Sequence, residues 1–212
     1  EYQYLRKFRN DMHWTIGTAA SYTNGDSELY GDHTGTTLAF FTQFDRRLFE
    51  RLSASRGRGG EQYTLDDTDK ESEPVLRAGI NYHAGKASYF RASFGQGYRY
   101  PSMAEKYTAT SLGSLNIFPN PELTPETGWS AEAGIRQGYR FGNWSGYIDI
   151  AGFWTEYQDM MEFIFDLYLP DSNTIPTLDD LGFKSLNIGA AKITGIDITV
   201  NGQGQAGPVI LN

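Results

Sequence analysis

The 212-residue chain is 39% hydrophobic and 21% charged, with a net charge of −8, which allows one domain with a core or one barrel wall and argues against disorder. No cluster of Lys and Arg interleaved with aromatics is present, so no nucleic-acid partner is expected. The absence of cysteine excludes a disulfide framework and thiolate metal sites, and three scattered His form no ligand cluster, so neither a metal nor a cofactor is expected.

Residues Glu1 to Asp11 mix charge and aromatics and receive no assignment. From Met12 to Tyr22, the parity Trp14, Ile16, Thr18, Ala20, Tyr22 opposes His13, Thr15, Gly17, Ala19, Ser21, which predicts a strand with one apolar face. The Gly-, Asn- and Asp-rich stretch Thr23 to Gly35 predicts a long polar loop. Strands are predicted over Thr36–Arg46 and Leu48–Arg56, joined by a short turn near Asp45 to Leu48. A long charged loop over 57–74 then leads into Val75–Ala84, where Leu76, Ala78, Ile80 and Tyr82 alternate with Arg77, Gly79, Asn81 and His83. His83 to Lys86 is a tight turn.

Ala87–Tyr98 and Thr127–Arg140 are the clearest strands. One parity holds Phe90, Phe94, Trp129 and Ile135; the other holds Arg91, Glu132 and Arg136. After a turn at Phe141 to Asn143, Trp144–Tyr157 continues as a strand with Asp149 on its polar parity. Gln158 to Ser185, with Pro170, Asp171 and Pro176, predicts a long excursion, with a hairpin extension expected in MMEFIFDLYL. Leu186–Val200 returns as a strand, and a turn over 201–207 precedes one more that begins in PVILN.

Eight strands result, with connections that alternate long (23–35, 57–74, 99–126, 158–185) and short (45–48, 84–87, 140–143, 201–207). Outer-membrane barrels show this asymmetry. No run reaches the roughly 18 apolar residues of a membrane helix, and mean hydropathy is −0.49; neither opposes a barrel, because only alternate residues face lipid. Aromatic rings near the ends of the apolar faces suit a bilayer's headgroup levels. The fold class is therefore all-β: an antiparallel transmembrane β-barrel wall. Arg77, Arg91, Glu132, Arg136 and Asp149 are read as lumen-facing, pairing with one another or with a domain inside the barrel. A soluble sandwich with one solvated face remains the competing architecture.

GQGYRYPSMAEKY (Gly95 to Tyr107), followed by NPELTPETGWSAEAGI (Asn120 to Ile135), resembles the barrel of TonB-dependent outer-membrane receptors. FWTEYQDMMEF and NIGAAKITGIDITV are similar to two further segments of that family, with Asp197 standing where the family often has Glu. The specific matches run from about Phe90 to Val200; earlier strands agree only in pattern. Such barrels have about 22 strands, so this chain is expected to be a central piece of eight to ten strands, with the N-terminal plug and the C-terminal strands outside residues 1–212.

The resemblance implies uptake of a scarce ligand, most plainly an iron siderophore, across the outer membrane of a Gram-negative bacterium. The implied partners are outer-membrane lipid, the protein's own plug domain, and the TonB complex reached through that plug. Arg99, Tyr100, Tyr107 and Tyr157, at the loop ends of strands, are candidate ligand contacts or else girdle and loop-packing residues. Pro101, Asn120, Pro121, Leu123, Pro125 and Glu126 are read as structural: the prolines lack a ladder N–H and mark strand ends, while Asn120 and Glu126 bond local backbone or a wall partner.

No enzyme is expected. The carboxylate pairs Asp66/Asp67 and Asp179/Asp180 lie in charged loops as solvated acids, without a recess or partner residue. Asp66 to Glu71 lacks the Gly of an EF-hand loop. Two other function classes stand beside transport: a complete small eight-stranded barrel serving as adhesin or structural protein, and a soluble carbohydrate-binding sandwich.

Overall fold

The computed structural model describes residues 1–9, 11–66, 69–113, 115–169, 175–206 and 209–211. Asp67, Pro170 and Asp171, named above, and the turn at 207–208 lie outside the described residues. The strands are β1 (Tyr2–Phe8), β2 (Met12–Ser27), β3 (Gly31–Phe49), β4 (Leu52–Leu65), β5 (Asp69–His83), β6 (Ser88–Arg99), β7 (Thr110–Leu112), β8 (Leu115–Phe118), β9 (Glu126–Phe141), β10 (Trp144–Leu167), β11 (Leu181–Ala206) and β12 (Val209–Leu211). Helix α1 (Met103–Tyr107) and a 3-10 turn (Leu178–Asp180) lie in the connections. The sheet order is β1-β2-β3-β4-β5-β6-β9-β10-β11, with β12 on β11 and the small β7/β8 hairpin laid parallel against the upper part of β11.

All eight predicted strands are present, but their lengths differ from expectation. The stretch 23–35 is not a loop, because β2 and β3 stay paired from Trp14↔Phe44 to Ser27↔Gly31. Likewise β4 and β5 stay paired to Leu65↔Asp69, and β10 and β11 to Leu167↔Leu181. Where both faces of a strand are wet the apolar parity disappears while the backbone ladder continues. The turn expected near Asp45 to Leu48 instead follows Phe49, which pairs with Leu52 across a bulge. The unassigned N-terminal residues form β1, in register with β2 from Tyr2↔Thr18 to Phe8↔Met12.

Burial decides between wall and sandwich. Among the described residues only Leu65, Leu123 and Ala151 are buried hydrophobics, while Leu38, Phe40, Ile80, Ile196, Ile198 and Val200 are all at least half exposed. A sandwich would bury one face of each sheet in a shared core. This is one sheet with its apolar face uncovered.

The register makes that face continuous. One row runs Met12, Arg46, Ala54, Ile80, Ala92, Ala133, Gly152, Ile196. On the same face an aromatic band links Phe94, Trp129 and Trp154 at centroid distances of 6.0 and 6.4 Å, and Lys192 Nζ lies 3.7 Å from the Trp154 ring. Trp14 stacks on Phe44 and donates its indole N–H to Thr42 Oγ1 at 2.7 Å, so its polar atom is satisfied within an otherwise apolar surface. Trp14, Phe90, Phe94, Trp129 and Ile135 share this face, and Arg77, Arg91, Glu132 and Arg136 share the other.

The strand of residues 12–22 does not pair with that of 186–200. β2 lies between β1 and β3, and β11 holds β10, β12 and β8. The sheet is therefore an open wall, and a closed eight-stranded barrel is not formed by these residues.

Candidate functional site

The connection between β6 and β9 is an ordered clamp. Ser102 caps α1: its hydroxyl accepts from the Glu105 backbone N–H, and the Glu105 carboxylate accepts from the Ser102 N–H at 2.8 Å, a capping box legible in the sequence as Ser-x-x-Glu. Glu105 also takes both bonds of Arg99 Nη1 at 2.9 Å. From its other edge Arg99 forks onto Glu126 through Nε and Nη2, each at 2.8 Å. Glu126 Oε1 then accepts the backbone N–H of Met161 at 2.7 Å, tying the start of β9 to the upper part of β10.

Asn120 extends the clamp. Its N–H donates to Lys106 carbonyl at 2.7 Å, and its side-chain amide donates to Ser185 carbonyl at 2.8 Å. Thr124 and Asn187 exchange two bonds of 2.9 Å, and Asn187 also donates to the carbonyl of Asp159, a positive-φ residue in the β10 bulge. Leu123 is 1% exposed beneath this network and Pro101 is buried. Pro121 and Pro125 flank the turn before β9, where no ladder N–H is needed.

One cation serves two carboxylates across the clamp. The guanidinium of Arg99 holds the Glu126 carboxyl below its usual 4.5. Burial pushes Glu105 upward, but the N–H and hydroxyl of Ser102, with Arg99, outweigh it and leave Glu105 also below 4.5.

A second knot joins three hairpin ends. His33 Nδ1 is 2.6 Å from Asp66 Oδ2, and Nε2 is 2.6 Å from the Tyr30 carbonyl. Asp66 adopts φ +50° and accepts the Thr34 N–H at 2.8 Å. Tyr107 stacks on the His33 ring at 3.9 Å. Asp66 is thus a structural ligand of the hairpins rather than a solvated acid. Asp180 is likewise engaged, accepting from the Thr177 N–H and hydroxyl at 2.8 Å.

Lower on the polar face, Arg91 donates to Glu132 at 3.0 Å and to Asp149 at 2.7 Å, while Arg136 donates to the other Asp149 oxygen at 2.6 Å. Arg136 also lies 4.6 Å from the Tyr147 ring. Two cations and two anions form one self-neutral chain over β6, β9 and β10. Gly134 makes room for it: a Cβ there would stand 2.9 Å from the Arg91 guanidinium carbon. Arg77 is outside this chain and has no carboxylate partner among the described residues.

Arg77 instead borders a recess of about 470 Å³ on the polar face, together with Gly95, Gly97, Arg99, Gly128 and Tyr157. Glycine produces it. A Cβ on Gly128 would meet the Tyr157 ring at 2.9 Å, so the floor is bare backbone. Of the four candidate ligand contacts, the structure brings Arg99 and Tyr157 to this recess. Tyr100 lies elsewhere, donating to the Glu61 carbonyl at 2.9 Å and stacking on Tyr63 at 4.9 Å; burial, then the charges of Glu61 and Glu73, push its hydroxyl up to about 12. Tyr107 belongs to the His33 knot.

Sequence reasoning missed Glu105, His33, Glu61 and Asn187. Only Glu105 carried a local signal, its capping box. The others meet partners more than 25 residues away.

The sequence profile described as TonB dependent receptor-like, beta-barrel, matches residues 1–212. No curated protein sequence matches the chain. Among solved structures, a double mutant of the Serratia marcescens hemophore receptor HasR, in complex with its hemophore HasA and heme, superposes with a TM-score of 0.74 at 13% identity, covering 97% of this chain and 38% of that one. The siderophore receptor PirA from Pseudomonas aeruginosa gives 0.69 at 12% identity, covering 93% and 35%. The copper transporter OprC gives 0.68 at 12% identity, covering 96% and 34%. The chain thus spans about a third of the length of these receptors. With a profile match over every residue and an open antiparallel wall as its fold, the chain belongs to the TonB-dependent receptors and is part of their β-barrel.

Proposed function

We propose that this chain is the central wall of a Gram-negative outer-membrane transporter that takes up a scarce ligand with energy relayed by TonB, an iron siderophore being the first candidate. The family and its structural relatives are receptors and transporters rather than enzymes. The observation that carries the reading is the sheet itself: an uncovered apolar face backed by a polar face on which Arg91, Arg136, Glu132 and Asp149 pair with one another. In this reading the apolar face meets lipid, and the polar face lines a lumen filled by the protein's own plug domain, which also engages TonB. Arg77, without a carboxylate partner on the wall, is positioned to take one from the plug.

The ligand class rests on the family. Of the candidate contacts only Arg99 and Tyr157 share a recess, and Glu105 and Glu126 already hold the Arg99 guanidinium, so Tyr157 is the contact left to stack on a ring-bearing metal chelate. The heme and copper proteins among the structural relatives make heme and copper the necessary comparisons.

The test is uptake of radiolabelled ferric siderophore, heme and copper by cells with and without the intact gene, each with and without a functional TonB. TonB-dependent accumulation of ferric siderophore alone supports the proposal. Accumulation of heme or copper alone replaces the ligand, and uptake indifferent to TonB removes the transport mechanism.

A further inference from the structure

On the apolar face strand β4 carries two arginines and its neighbour β3 a third. The β4 residues on that face are Leu52, Ala54, Arg56, Arg58, Gly60, Gln62 and Thr64. Arg56 sits between Phe44 and Ala78, and Arg58 between Thr42 and Leu76; Arg46, on β3, is opposite Ala54 in the next row. All three arginines are exposed. They make no ion pair among the described residues, and the three rows they occupy on β2 to β5 contain no carboxylate.

Spacing makes the three a cluster. Arg56 and Arg58 are two residues apart on one strand, about 6.6 Å, and Arg46 is a diagonal neighbour of Arg56, about 7–8 Å away. Guanidinium groups on a surface that otherwise meets hydrocarbon are costly unless something anionic receives them, and they mark a functional site by default. Exposed Phe44, Leu48, Leu76 and Ile80 surround the cluster, so the occupant must be anionic at its head and apolar around it.

Height selects the leaflet. Arg46 lies three residues before Phe49, and Arg56 and Arg58 lie four and six residues after Leu52, the ends of the short turn between β3 and β4. With a rise of about 3.3 Å per residue and a tilt near 40°, the Cα atoms of Arg56 and Arg58 stand about 10 and 15 Å above that turn. Long stems let such heads reach down to the nearer headgroup layer, and short turns are periplasmic in these barrels.

We propose that Arg46, Arg56 and Arg58 form a binding site on the outer wall for the phosphate headgroup of an anionic phospholipid of the periplasmic leaflet. All three cations are arginine, whose fork donates paired N–H bonds to phosphate oxygens, and basic pockets between membrane helices on the matrix or cytoplasmic side bind diphosphatidylglycerol-type headgroups by the same chemistry. The proposal rests on the outer-membrane reading above.

The intact receptor, wild type and R46Q/R56Q/R58Q, is reconstituted into nanodiscs containing diphosphatidylglycerol, phosphatidylethanolamine or lipopolysaccharide, and retained lipid is measured by native mass spectrometry. Arg140→Gln removes one charge from the polar face as a control. At about fivefold per arginine, the triple variant should retain diphosphatidylglycerol on the order of 100-fold less well, with phosphatidylethanolamine unchanged and R140Q like wild type. Should the triple variant fold poorly, each single Gln variant should show its own fivefold loss.

Equal retention by wild type and variants overturns the site. So does a loss confined to lipopolysaccharide, which places the cluster in the other leaflet, or displacement of lipid by a stoichiometric acidic protein partner. If the wild type does not enter nanodiscs at all, the membrane reading falls and this one with it; insertion with unaltered lipid retention removes only the lipid site.

Discussion

Glu126 is held from two sides, by the fork of Arg99 and by the Met161 N–H. Its carboxyl, like that of Glu105, is lowered below 4.5 in the folded protein. A lowered carboxyl stabilises the fold fully above its unfolded value, and that stabilisation is lost as pH falls through the folded value. The 100–125 connection should therefore be protected from proteolysis at neutral pH and become cleavable below about pH 4.5, and Glu126→Gln should show the same cleavage at pH 7. Protection that persists in E126Q at neutral pH would show that the Asn120 contacts alone hold the connection. Lower on the same face, Asp149 bridges Arg91 and Arg136. Asp149→Asn should lower the melting temperature of the intact receptor in detergent, and adding Arg136→Gln should cost less than the two changes summed, because the second removes a cation already unpaired.

At the scale of the element, a strand in this wall has two faces with opposite rules. Ala133 lies on the apolar face between Ala92 and Gly152, while Ser93 lies on the polar face opposite Glu132. Ala133→Arg should destabilise the barrel by about 2–4 kcal/mol in a bilayer at mid-height, and Ser93→Arg by little; denaturant unfolding from liposomes measures both, and equal costs would reverse the assignment of faces. Long hairpins such as β2–β3 remain paired well past the region of apolar parity. Their outer parts rest on ladder bonds and on knots such as His33 with Asp66, so His33→Ala should raise amide exchange in the 23–35 hairpin while leaving residues 12–20 protected.

For the whole molecule, the missing closure matters most. β1 pairs only with β2, and the first full strand never meets the last. Closure links strand number, tilt and shear, and an open edge in hydrocarbon leaves backbone groups unsatisfied at several kcal/mol each. Residues 1–212 expressed alone should therefore fail to give the compact, heat-modifiable band of a folded barrel on a detergent gel. A compact band from this stretch would mean that its edges find each other, and the small closed barrel would return.

Parity in single strands was enough to separate two faces from the sequence, because a pleat alternates side chains whatever surrounds it: Phe90 and Phe94 against Arg91, or Trp129 and Ile135 against Glu132 and Arg136. The spacing of Gly, Pro and charged stretches located the turns at 84–87 and 140–143, though it missed the hairpin of β1 with β2 and set the turn between β3 and β4 a few residues early, and the Asn-Pro-x-Leu-x-Pro-Glu stretch pointed to the family. Strand length was not legible, since outside the lipid the ladder of Thr23 to Gly35 continues without any apolar pattern to announce it. Nor were the pairings of Glu126 with Arg99 and Met161, Asp66 with His33, or Asn187 with Thr124, because each depends on register between strands far apart in the chain. The cluster of Arg46, Arg56 and Arg58 belongs to this second group: Arg56 closed a predicted strand and Arg58 fell in a stretch read as a charged loop, and only the pairing of β4 with β3 and β5 placed them on the apolar face beside Arg46.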